Sequence, residues 1–157
     1  MNNQHIAQIF QDIAKLLELK GDNVFHILAY QRASQTIDGL AQDVATMSDK
    51  ELLALPGIGK DLAGKIREYL ATARIAKYDE LTREIPASVL ELLRVPGIGP
   101  KRAKQFFDQL KVASIDDLEA AIMAGKLQGF PGIQERTEQN LMKGIQMARR
   151  RRNQQSL

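Results

Sequence analysis

Cysteine is absent from the 157 residues, tryptophan is missing too, and histidine occurs only at His5 and His26. Without thiols there is no disulfide, no cysteine nucleophile and no thiolate zinc site, and two histidines cannot build a histidine-rich metal centre. Redox proteins, cysteine enzymes and zinc hydrolases are excluded together. No run approaches the ~18 consecutive apolar residues of a membrane span. The opening residues Met1 to His5 lack both the basic region and the apolar stretch of a signal peptide, so the expected location is cytoplasmic. Alternation of apolar and polar residues, the mark of a half-buried strand, is also missing. What is present, 44% hydrophobic and 26% charged residues, is enough to build a core and excludes a disordered or collagen-like chain.

The net charge of +3 hides a polarity. Residues 1–88 carry 10 Lys and Arg against 12 Asp and Glu, whereas residues 89–157 carry 12 against 7, and four of those cations are Arg149 to Arg152. A basic second half fits an anionic partner, although a basic helix end also serves as plain solvated surface.

Internal repetition is the strongest signal. Leu55-Pro56-Gly57-Ile58-Gly59 recurs as Val95-Pro96-Gly97-Ile98-Gly99, and less closely as Phe130-Pro131-Gly132-Ile133-Gln134. Each copy is flanked by helix-periodic segments. Ser48-x-x-Glu51 and Ser114-x-x-Asp117 have the spacing of helix-opening caps. After the first turn, Leu62, Ile66, Tyr69 and Leu70 make an amphipathic stripe, and after the second, Ala103, Phe106, Phe107 and Leu110 do the same. Upstream, Ile6, Ile9, Phe10, Ile13, Leu16 and Leu17 predict a helix stopped at Gly21, followed by a second from Val24 to about Leu40. The reading is all-α, a tandem helix-hairpin-helix bundle of roughly ten short helices with short connections. Pro86 marks a boundary near 84–87, which divides the chain into an N-terminal domain, 1–84, and a C-terminal domain, 85–157. The tail from Asn153 to Leu157 is expected to fray.

In Pro-Gly-Ile-Gly the glycines admit positive φ and let another molecule approach closely, while the isoleucine plugs between the helices. A turn of this kind entering a helix presents backbone N–H groups at the positive end of the helix dipole, which suits a phosphate. Cations in a first turn oppose the dipole, so Lys101, Arg102 and Lys104 after Pro100 point to an anion that offsets them. Lys60 follows the first turn, with Asp61 beside it. Gln134, Glu135 and Glu138 follow the third and would repel phosphate, so that copy reads as a packing element. The predicted phosphate contacts are therefore Gly57, Ile58, Gly59 and Lys60 in the first hairpin, and Gly97, Ile98, Gly99, Lys101, Arg102 and Lys104 in the second.

At these residues the chain resembles helix-hairpin-helix DNA-binding proteins, and more closely the N-terminal region of family X (polymerase beta-like) DNA polymerases. The resemblance runs through the opening helix, Phe25 to Ala33, Leu55 to Ile66, and Val95 to Pro100. It implies that the first hairpin lies in a small domain holding the strand downstream of a gap near its 5′ phosphate. It implies further that the second hairpin grips the primer-side strand, and that hairpin carbonyls can hold a monovalent cation, Na+ or K+. Side-chain metal ligands and other cofactors are not implied. The implied partner is gapped or duplex DNA, with a polymerase or repair protein alongside and no membrane.

Family members continue into a palm domain with metal-binding aspartates. Asp116 and Asp117 cannot replace these, because neighbours on a helix diverge by about 100°, so polymerisation by these residues alone is not expected. The resemblance also places Lys65 where family members form a Schiff base with deoxyribose 5-phosphate, with Tyr30 and Lys77 at other positions of that 5′-phosphate pocket. An amine nucleophile must lose its proton, and Asp61 at i−4 with Glu68 at i+3 would hold it on. Basic positions of the family pocket appear here as Leu53 and Asp61. Sequence-nonspecific DNA binding without catalysis is the leading expectation; an abasic-site or deoxyribose-phosphate lyase and a protein-interaction scaffold docking through Arg149 to Arg152 are the alternatives.

Overall fold

The computed structural model describes the backbone of residues 2–156 and the side chains of residues 2–152. Among the described residues there are helices and turns and no strand. The chain forms two compact units, Met1–Ile85 and Pro86–Leu157.

In the first unit, α1 (Asn2–Lys20) is the central element, packed against α2 (Val24–Asp38), α4 (Lys60–Thr72) and α5 (Ala76–Glu84). A short 3-10 turn, Val44–Thr46, and α3 (Asp49–Leu53) connect α2 to α4. The apolar stripe of α1 explains its place: Ile6, Phe10, Ile13, Leu16 and Leu17 are all at most 1% exposed, each contributing roughly 1.5–3 kcal/mol on burial. Gly21, at φ +79°, turns the chain, and the Asn23 side chain caps α2 by accepting from the Phe25 N–H at 2.7 Å. Two contacts dock α2 on α1. The Phe10 and Tyr30 rings meet edge to face at 5.8 Å, and Ser34 Oγ donates to the carbonyl of Ala7 at 2.7 Å. At the start of α1, buried Asn3 ties the chain after α2: its Nδ2 donates to Gln42 O at 2.8 Å while its Oδ1 accepts from Val44 N at 2.9 Å.

The second unit holds a 3-10 run (Ala87–Arg94), α6 (Pro100–Leu110), α7 (Ile115–Met123) and α8 (Glu135–Ser156). Its core gathers Val89, Leu92, Phe106, Leu118, Leu127, Leu141 and Ile145, all buried. Phe130, which opens the third turn, stacks edge to face on Phe106 at 5.8 Å. Ser114 caps α7 by accepting from the Asp117 N–H, as its spacing predicts.

One expectation needs correction. The first arm of the second hairpin is 3-10 throughout, not α. Pro86 and Pro96 bracket it, and the residue before a proline is driven out of the α region. Val95 is accordingly extended at φ −81°, ψ 119°, which leaves little room for i→i−4 bonding. The backbone is helical as far as Ser156, and the side chains of the tail from Asn153, with all of Leu157, lie outside the described residues.

Candidate nucleic-acid interface

Each of the three repeated turns closes in the same way. The N–H of Ile58 donates to Leu55 O at 3.2 Å, that of Ile98 to Val95 O at 3.0 Å, and that of Ile133 to Phe130 O at 3.1 Å. Proline stands second in each turn and glycine third, with φ of +78° at Gly57, +94° at Gly97 and +78° at Gly132. These are the features of a type II turn, where proline presets one φ and only glycine enters the positive region without strain. Ile58 and Ile98 are 4% and 5% exposed, so both plug their hairpins; Ile133 is only half-buried.

The three copies diverge at the helix entries behind their turns. Gly59 and Gly99 are the N-cap residues of α4 and α6, both extended, and neither helix has a side-chain cap. The first N–H groups are therefore left for an external acceptor. A Cβ built on Gly59 or Gly99 would meet nothing within 4 Å, so both approaches are open. The third copy puts Gln134 at this place and Glu135 and Glu138 in the first turn of α8.

The predicted cations fall into three situations. Lys60 and Lys101 are exposed, and among the described residues neither forms an ion pair. Lys104 is held one turn along α6, its Nζ 2.8 Å from Asp108 Oδ1 and 2.9 Å from Oδ2. Arg102 is turned back on its own hairpin: Nη1 donates to the Gly97 carbonyl at 3.1 Å, and Nη2 lies 3.3 Å from where a Cβ on Gly132 would sit.

Neighbouring helices hold each turn. For the first, Thr36 Oγ1 on α2 donates to Pro56 O at 2.9 Å, and the stem of Arg32 lies across Gly57, where a Cβ would stand 3.0 Å from Cγ and Cδ. For the second, α8 seats Gly144 against Val95 and Pro96, where a Cβ would come within 3.0 Å of Val95 Cγ1 and 3.1 Å of Pro96 O. Arg32, Thr36 and Gly144 belong to no repeat, and nothing in their local sequence marks them. Among the described residues no group of acidic or histidine side chains could hold a metal.

The structure brings Tyr30 and Lys65 together on facing sides of α2 and α4. Lys65 is half-buried, and its Nζ lies 2.7 Å from Asp61 Oδ1. Burial is the largest influence on its ammonium and lowers the pKa, but the Asp61 hydrogen bond, with Tyr30 and the Asp61 charge added, outweighs it and holds the lysine above its ordinary value. Burial also raises the Tyr30 hydroxyl, against the pull of the Lys65 charge. Lys77 sits in the first turn of α5, close enough to Asp22 to help lower that carboxyl, whose main cause is the hydrogen bond it accepts from the Asn23 N–H. Glu68, the other carboxylate expected beside Lys65, instead accepts from the Ala76 N–H through Oε2 at 3.0 Å. Arg149, from the basic run, is bound by Glu119 at 2.9 Å and by Asp116 at 2.6 Å.

Turn geometry, uncapped helix entries and tandem order define a pair of helix-hairpin-helix units. A helix-hairpin-helix domain model matches residues 1–75, and a SAM-like helix-hairpin-helix tandem model matches residues 89–147. DNA polymerase/3'-5' exonuclease PolX of Bacillus subtilis (strain 168) is 28% identical over 145 residues, which cover 92% of this chain and 25% of that protein. DNA polymerase lambda of Rattus norvegicus is 30% identical over 108 residues, 68% of this chain and 18% of that protein. The chain carries a tandem helix-hairpin-helix region homologous to the N-terminal domains of family X DNA polymerases. It spans a quarter or less of the length of these curated relatives.

Proposed function

We propose that this chain binds DNA through its phosphate backbone, without reading bases, at the turns 57–59 and 97–99. The observation that carries this reading is the pair of uncapped helix entries at Gly59 and Gly99, each open to close approach and each followed by an exposed, unpaired lysine. Backbone N–H groups and nearby cations recognise phosphate oxygens that every nucleotide shares, so such a grip supplies affinity without sequence preference. Two hairpins in tandem suit gapped or duplex DNA, with a polymerase or repair protein acting beside them. A lyase activity at Lys65 is the second reading. It is favoured by the half-buried amine next to Tyr30 and opposed by the Asp61 contact.

Titration of gapped and intact duplexes at several salt concentrations tests the main reading. Release of counterions by about four cations gives a slope of log K against log salt near −3.6 on duplex DNA, with equal affinity for unrelated sequences. Failure to bind DNA at about 50 mM salt would overturn it.

A further inference from the structure

Arg32 lies outside the repeated motif, 25 positions before the glycine it covers. Its methylene stem crosses Gly57, and the neighbouring Thr36 hydroxyl fixes α2 to the same turn through Pro56. The guanidinium is therefore carried to the rim of the first turn by a helix that is itself anchored there. Its head is exposed, and among the described residues it has no hydrogen bond or ion pair. α2 itself holds no carboxylate between Val24 and Ile37, and the one carboxylate in the first turn of α4, Asp61, is drawn to Lys65 at 2.7 Å.

We propose that Arg32 is a phosphate-binding residue of the first hairpin, its planar fork closing from α2 over a phosphodiester seated on the uncapped N–H groups at the start of α4. This rests on the DNA-binding reading above and extends its site to a second element. A guanidinium can donate two parallel hydrogen bonds to the non-bridging oxygens, and such charge-assisted pairs are the strong ones. A stem that only packed on Gly57 would make the charge irrelevant, which separates the two roles by experiment.

Arg32→Met keeps an unbranched stem over Gly57 and removes the charge, while Arg32→Lys keeps the charge and removes the fork. In duplex titrations over a range of salt, Arg32→Met should bind about tenfold more weakly and flatten the log–log slope by about 0.9, with no change in melting temperature. Arg32→Lys should keep the wild-type slope and lose part of the affinity. Unchanged slope and affinity in a folded Arg32→Met protein would overturn this assignment while leaving the DNA-binding reading intact. Absence of DNA binding by the wild-type chain would overturn both.

Discussion

Arg102 donates from Nη1 to the carbonyl oxygen of Gly97 at 3.1 Å, so a residue expected from the sequence to reach outward to phosphate braces the turn it follows. Its other terminal nitrogen lies against Gly132 of the third turn. A residue that acts by holding a turn and one that touches phosphate differ in the number of counterions they displace. Arg102→Gln, which removes the charge, should weaken duplex binding about three- to tenfold through the lost brace, since one net hydrogen bond is worth about 1 kcal/mol, and leave the salt slope unchanged. A slope flatter by about 0.9 would assign Arg102 to direct contact instead.

The two glycines of the second turn separate folding from binding. Gly97, at φ +94°, needs its missing side chain for the backbone alone, and alanine there should lower stability by about 1–2 kcal/mol. Gly99 has φ −96° and open space around it. Gly99→Ala should melt like the wild type yet lose about 1–2 kcal/mol of DNA affinity, as charge-assisted N–H contacts are held off. Thermal melting set beside a binding titration checks both halves.

At Lys65 the raised pKa keeps the amine protonated through neutral pH. Borohydride trapping on an incised abasic site should therefore be weak, and Asp61→Asn should increase it by lowering the lysine pKa, with Lys65→Ala as the blank. The same shift fixes the sign for stability. The contact contributes fully below the unfolded lysine value of about 10.4 and is lost as pH rises through the higher folded value. Efficient trapping by the unmodified chain would move the lyase reading to first place.

Asn3 is 2% exposed, and both ends of its amide are bonded to the chain after α2. Asn3→Leu should leave Gln42 O and Val44 N–H without these partners and cost about 2–4 kcal/mol in chemical denaturation, from two groups at ~1–3 kcal/mol each with partial relief by water.

The hairpins were legible because their signals are local. Proline followed by glycine sets a turn over four residues, and Ser48 with Glu51 forms the reciprocal capping box its spacing implies. The stripe of α1 was legible for the same reason, since five buried positions repeat at helical spacing. The features that escaped depend on residues far apart in sequence. Arg32 over Gly57 and Gly144 under Pro96 exist only after helices have packed. The inward turn of Arg102 escaped because a sequence records that a cation follows Pro100, not which carbonyl its rotamer can reach. The 3-10 arm escaped for a subtler reason: its residues suit an α-helix, and the prolines at either end overrule them.

Gly144 leaves space for Pro96 at the middle of α8, a helix held in place by the turn it docks on. An interior glycine lowers intrinsic helicity by about 1 kcal/mol relative to alanine, a cost that the close packing of α8 on the second turn helps to offset. The second turn and α8 are therefore expected to open together as one cooperative unit. Amide hydrogens of Ile98 and of the α8 segment around Leu141 and Ile145 should accordingly exchange with a common opening free energy, and those of α1 should stay protected independently.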